Sequence, residues 1–114
     1  MIEIIIKRKK DRYYGFHSRG HAGEAKKPLP SQELVCAAVS VMTQNTVNAL
    51  EYFLLAENIS YQISDGDLKL MLGDSLAKDA EHTAQVLLQA LYLGLKNLED
   101  SYPKYMKVKI QEVD

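Results

Sequence analysis

The order of patterned segments in this 114-residue chain predicts an α+β fold. The expected order is ββαββαβ, with a mostly antiparallel sheet and two long helices packed on it. Three observations predict it. Alternating runs occur as adjacent pairs, Ile2–Lys7 with Tyr13–Ser18, and Ile59–Ser64 with Asp67–Leu72. Each pair is followed by a long stretch of helical period. A last alternating run follows Pro103. The length fits one domain, residues 1–114, long enough to bury a core.

The elements read as follows. In the first strand Ile2, Ile4 and Ile6 share one face, and Glu3, Ile5 and Lys7 the other. Lys9 to Arg12 is a charged turn. Tyr13–Ser18 pairs with the first strand as a hairpin, and Gly15 within it weakens the strand or admits a close backbone. The strand runs out into Arg19-Gly20-His21-Ala22-Gly23, where two glycines permit unusual backbone angles. Pro28 and Pro30 argue against regular structure between Glu24 and Ser31. Ser31 is the expected N-cap of a helix reaching about Glu57. Its core stripe is Val35, Val39, Met42, Thr46, Leu50 and Phe53.

Asp65-Gly66 between two alternating runs signals a second hairpin, with Leu68, Leu70 and Leu72 on its buried face. Asp74-Ser75 is expected to cap a second helix, to about Glu99. Leu76, Ala80, Thr83, Ala84, Leu87, Leu91, Leu95 and Leu98 make its apolar stripe. Pro103 ends that region. Tyr105–Gln111 is the last strand, with Met106, Val108 and Ile110 on one face.

Composition narrows the function. The net charge is −1 and no long basic run occurs, which does not favour sequence-independent nucleic-acid binding. Lys7-Arg8-Lys9-Lys10-Asp11-Arg12 reads as the polar end of a strand and its turn. One cysteine cannot form an internal disulfide, and this fits a reducing, cytoplasmic setting. Met1 to Ile6 is apolar but too short for a signal peptide or a membrane span. No phosphate-binding glycine loop and no metal-ligand spacing stands out, so no metal and no cofactor is expected.

The chemistry gathers around the one cysteine. Cys36 lies about one turn inside the first predicted helix, whose positive end favours a thiolate. Helix-end amides there would also suit a developing oxyanion. The alternative is a small residue packed in the core. Val35 and Val39 define the core face, Cys36 lies to one side of it, and Ser40 shares its stripe. That stripe can face a cleft. Three histidines are candidates for a base. His82 falls on the polar side of the second helix with Glu81 and Gln85. His17 sits within a strand and fits a structural role. His21 sits in a Gly-flanked loop, where backbone can approach a helix end and a substrate. Position alone leaves His17 and His21 both open. Ser40 suits either a hydrogen bond to an imidazole or substrate, or a bond back to the helix backbone. Glu33, one turn before Cys36, suits either orienting a base or complementing the helix dipole.

Gly20-His21-Ala22 followed by Val35-Cys36-Ala37-Ala38-Val39-Ser40 resembles the ribosomal-processing cysteine protease family, Prp. The resemblance covers nearly the whole chain, with similar length and order of elements. It implies that Cys36 is the nucleophile and His21 the catalytic histidine. It implies a substrate, the N-terminal extension of large-subunit ribosomal protein twenty-seven, and a homodimer. Members often carry Asp where this chain has Glu33, whose greater length bears on any orienting role. The segment Ala22 to Ser31 is expected to act as a mobile lid over the cleft. Gly23 loosens its start, the two prolines stiffen its end, and Lys26 and Lys27 keep it in water. Gly20, Ala22, Gly23 and Ser31 are therefore candidates for substrate or lid contacts. Two rival functions stay open: a non-enzymatic dimeric binding module of ribosome assembly with a structural Cys36, and a thiol redox sensor.

Overall fold

The computed structural model describes residues 1–20 and 29–113. Its strands are β1 (Ile2–Lys9), β2 (Arg12–Arg19), β3 (Ile59–Ser64), β4 (Asp67–Leu72) and β5 (Met106–Val113). Two helices, α1 (Pro30–Phe53) and α2 (Lys78–Ser101), separate them in the predicted order. The sheet runs β3-β4-β2-β1-β5. All neighbours are antiparallel except β1 and β5, which run parallel.

Register decides which face is buried. Ile6 stands beside Phe16, and Phe16 beside Leu70. Ile2 and Ile4 pair with Met106 and Val108. These side chains lie on one face and are buried. Val35, Val39, Val47 and Leu50 of α1, with Ala84, Leu88, Leu91 and Leu95 of α2, complete the same core. Gly15 is needed for a close approach: a Cβ there would stand 2.4 Å from the Leu70 carbonyl oxygen. Arg12 fastens the far end of the sheet to α2 by donating to both carboxylate oxygens of Glu81, at 2.6 and 3.0 Å.

Several local expectations are corrected. Ser31 is not the N-cap. Leu29 holds that place and Pro30 is the first helical residue, where proline's fixed φ and missing N–H cost nothing. The Leu29 N–H donates to Gln32 Oε1 at 2.7 Å, and the Ser31 hydroxyl donates to Tyr105 Oη at 3.1 Å. α1 stops at Phe53 rather than near Glu57, and a short 3₁₀ turn, Ala56–Asn58, follows. Phe53 is 61% exposed, so it is not part of the core stripe. Thr43 and Val47 fill that stripe instead, and the Thr43 hydroxyl is satisfied by the Val39 carbonyl at 2.8 Å. α2 begins three residues beyond Ser75, with Ala77 as its N-cap, so Asp74 and Ser75 do not cap it. The first turn is tighter than expected. Only Lys10 and Asp11 lie outside the strands, both with positive φ, 50° and 67°.

Candidate active site

A cleft opens where the N-terminal part of α1 passes over the end of the sheet that carries the β3–β4 turn. Cys36 and Ser40 line it from the helix, Ser18 and Gly20 from the end of β2, and Ile63 and Asp65 from the hairpin. Cys36 is half-buried, beside the buried Val35 and Val39, as expected from its place off the core face. It packs against the core on one side and lines the cleft on the other.

The depth of Cys36 differs from expectation. With Pro30 as the first helical residue, Cys36 is the seventh. The field of a helix end acts mainly within its first turn, and Cys36 lies beyond that turn. At such depth a backbone N–H is committed to the carbonyl four residues earlier. The N–H groups of Gln32 and Glu33 are likewise committed, both to the Leu29 carbonyl, at 2.9 and 3.1 Å. The α1 amides near Cys36 are therefore not the spare oxyanion donors that the sequence suggested.

The other candidates divide. Gly20 lines the cleft and is tightly held, its N–H donating to the Gly66 carbonyl at 2.8 Å. Its φ of +94° is one that L side chains rarely adopt. Ser40 lines the cleft, and its hydroxyl oxygen accepts from Gln44 Nε2 at 3.2 Å. Glu33 is exposed in the first turn of α1 and is not among the described cleft residues. Ser31 and Pro30, expected at the stiff end of a lid, belong to α1 itself. His21, Ala22 and Gly23, with the rest of the proposed lid through Pro28, lie outside the described residues.

The two remaining histidines behave as their patterns suggested. His82 is exposed on α2. His17 lies between Ile5 and Lys69 in the register, on the sheet face away from the helices, with Nε2 2.9 Å from Asp67 Oδ1. The sequence reading missed Ser18, Gln44, Ile63 and Asp65 as cleft residues. Gln44 was accessible to it in principle, since Cys36, Ser40 and Gln44 continue one stripe at four-residue steps. The hairpin wall was not, because only the β2–β4 pairing brings residues 63–66 to Gly20.

Comparison with known proteins places this architecture. The family model described as cysteine protease Prp matches residues 1–107. The ribosomal processing cysteine protease Prp of Bacillus subtilis (strain 168) is 29% identical over 110 residues, covering 95% of this chain and 96% of that protein. The crystal structure of SMU.848 from Streptococcus mutans superposes with a TM-score of 0.79 at 31% identity, over 99% of this chain and 96% of that one. The Prp of S. aureus in complex with a covalently linked product peptide superposes with a TM-score of 0.78 at 22% identity, over 97% and 100%. The matched region takes in every element from β1 to the start of β5, and the chain belongs to the cysteine protease Prp family.

Proposed function

We propose that this protein is an endopeptidase that removes the N-terminal extension of large-subunit ribosomal protein twenty-seven, with Cys36 as nucleophile and His21 as its base. The observation that carries the reading is the place of Gly20. The residue immediately before His21 lines the same cleft as Cys36 and is held there by its bond to Gly66. The Bacillus subtilis relative bears the name of a ribosomal processing protease, and the S. aureus relative has been crystallised with a substrate peptide and with a covalently linked product peptide.

In this reading the His21 imidazole takes the Cys36 proton as the sulfur attacks the scissile carbonyl carbon. A C–S bond forms and the carbonyl oxygen becomes an oxyanion. As the intermediate collapses, the C–N bond breaks and the imidazolium gives its proton to the leaving amine. Water, deprotonated by the same imidazole, then attacks the thioester, and the sulfur leaves to restore the thiol. Ser40, held by Gln44, lies one turn from Cys36 on the cleft wall and suits a hydrogen bond to the imidazole or the substrate.

The site works without cofactor or metal in this scheme. The cytoplasm, where a lone cysteine stays reduced, is the matching compartment. No helix among the described residues is long and apolar enough to cross a membrane. A homodimer is part of the proposal, supported by the exposed Val41, Tyr52, Phe53 and Leu55 on and just beyond α1. Light scattering at micromolar concentration tests it. Incubation of the purified protein with the extended ribosomal protein, followed by intact mass of the products, tests the activity. One new pair of fragments at a single junction is expected. An uncut substrate refutes the proposal.

A further inference from the structure

The outer edge of β3 ends the sheet among the described residues, and two backbone bonds fix which of its groups face outward. In an antiparallel pair, bonded and non-bonded residue pairs alternate. The Gly20–Gly66 bond continues the β2–β4 register beyond Ser18 and Leu68. Leu68 and Leu70 therefore turn their backbone groups to β2, while Asp67, Lys69 and Met71 turn theirs to β3. The Gly73 N–H donates to the Asn58 carbonyl at 2.6 Å, which extends the β3–β4 ladder in the same phase. Ser60, Gln62 and Ser64 are thus committed to β4. Ile59, Tyr61 and Ile63 direct N–H and C=O away from the sheet.

The same edge leads out of the cleft. Ile63 lines the cleft with Cys36 and is 52% exposed. Tyr61, two residues back on the same face, is 41% exposed. With Ile59 and Glu51 it lines a second depression. The Tyr61 hydroxyl bonds to Glu51 of α1, which raises the tyrosine pKa. Cys36, Ser40, Gln44 and Glu51 fall on one stripe of α1. Helix and strand edge wall both depressions, with Cys36 in the one at the Ile63 end and Glu51 in the one at the Ile59 end.

We propose that β3 receives the extended substrate as an added strand, with the backbone groups of Ile63 and Tyr61 pairing to the peptide and holding the scissile bond at Cys36. This rests on the protease reading and adds to it how the chain is aligned. The run from Ile63 to Ile59 is about 13 Å at strand rise, enough for about four substrate residues on one side of the scissile bond. Alternate substrate side chains fall against Ile63, Tyr61 and Gln44, so Ile63 and Tyr61 set an apolar preference at every second position.

The test uses a fluorescein-labelled peptide spanning the end of the N-terminal extension of large-subunit ribosomal protein twenty-seven, and the 114-residue protein carrying Cys36→Ala. Binding is followed by anisotropy while single peptide amides are N-methylated in turn. Kd is expected to rise roughly five- to tenfold at alternate amides and to stay level between them, the weight of one hydrogen bond. A flat profile, or no binding, overturns the proposal. Ile63→Pro in the same background removes one outward donor without touching the β4 ladder, and a similar loss of affinity is expected. If that variant instead splits a dimer and leaves Kd unchanged, a second copy owns the edge and the proposal fails. A period-two profile from a wild-type protein that cuts nothing would defeat the protease reading alone. Normal cutting with a flat profile would defeat strand addition alone.

Discussion

Gly20 lies against the carbonyl oxygen of Met1 so closely that a Cβ would stand 2.4 Å from it. With its φ of +94°, this position admits glycine and no other residue without displacement. Gly20→Ala is therefore expected to cost about 2 kcal/mol of stability. It should cost proportionally more activity, because it shifts the attachment point of His21. Cleavage rate measured well below the melting temperature checks this. A variant that cuts at the wild-type rate would detach Gly20 from the site.

The dyad makes a graded prediction. Cys36→Ser should abolish cleavage with the melting temperature nearly unchanged, since the two side chains differ little in size. His21→Ala should lower kcat on the order of 10²–10⁴-fold. His82→Ala, on the exposed side of α2, should leave the rate alone. His17→Ala should lower stability through its lost contact with Asp67 and affect the rate far less than His21→Ala. Equal losses at positions 17 and 21 would refute the choice of base.

Glu99 ties the end of α2 to β5. Burial pushes its carboxyl up, but the Lys96 ammonium at 2.6 Å and the Val108 N–H at 2.6 Å outweigh that and hold its pKa below the usual value. A carboxyl lowered in the folded state contributes stability above its unfolded pKa, about 4.3. That contribution is lost as pH falls through the folded value. Glu99→Gln should cost about 1–2 kcal/mol at pH 7. The gap to wild type should narrow as pH falls below the unfolded value and through the lower folded one. A gap that stays constant from pH 7 to pH 3 would contradict the linkage.

The β1–β2 turn offers a stabilising change. Lys10 and Asp11 both occupy left-handed backbone, the geometry of a type I′ turn, which Asn-Gly fits better. Replacing the pair by Lys10→Asn with Asp11→Gly should raise the unfolding free energy by about 1 kcal/mol. A urea midpoint that rises with unchanged slope is the expected readout, and a lowered midpoint would exclude the turn assignment.

These positions also show what sequence carries and what it hides. Alternation in residues 2–7 and 67–72, and helical period in residues 35–50 and 76–98, come from one-sided burial, so the order of elements is readable along the chain. Local competition is harder to read. Ser31 and Asp74 have good capping side chains, yet Pro30 begins α1 one residue before Ser31, and α2 starts at Lys78. The N-cap thus moves two residues, from the expected Ser31 to Leu29, and Cys36 lies that much deeper in the helix. Phe53 kept the period but is the last residue of α1 and stands exposed. Ser18, Ile63 and Asp65 join the site only through pairing between distant strands, which no local pattern specifies. Cys36 and Ser40 were legible because one helix supplies both.

The parallel pairing of β1 with β5 bears on when this molecule becomes complete. The first strand of the chain finds its outer neighbour in the last, and Arg8 meets Glu112 across 104 residues. Ser31 at the head of the Cys36 helix likewise waits for Tyr105. Closure between such remote segments is slow and comes late in folding. A chain still threading from the ribosome has made Cys36 long before it can seat β5. The finished enclosure thus arrives only once the last strand is in place, which separates the birth of the thiol from the maturity of the fold that holds it.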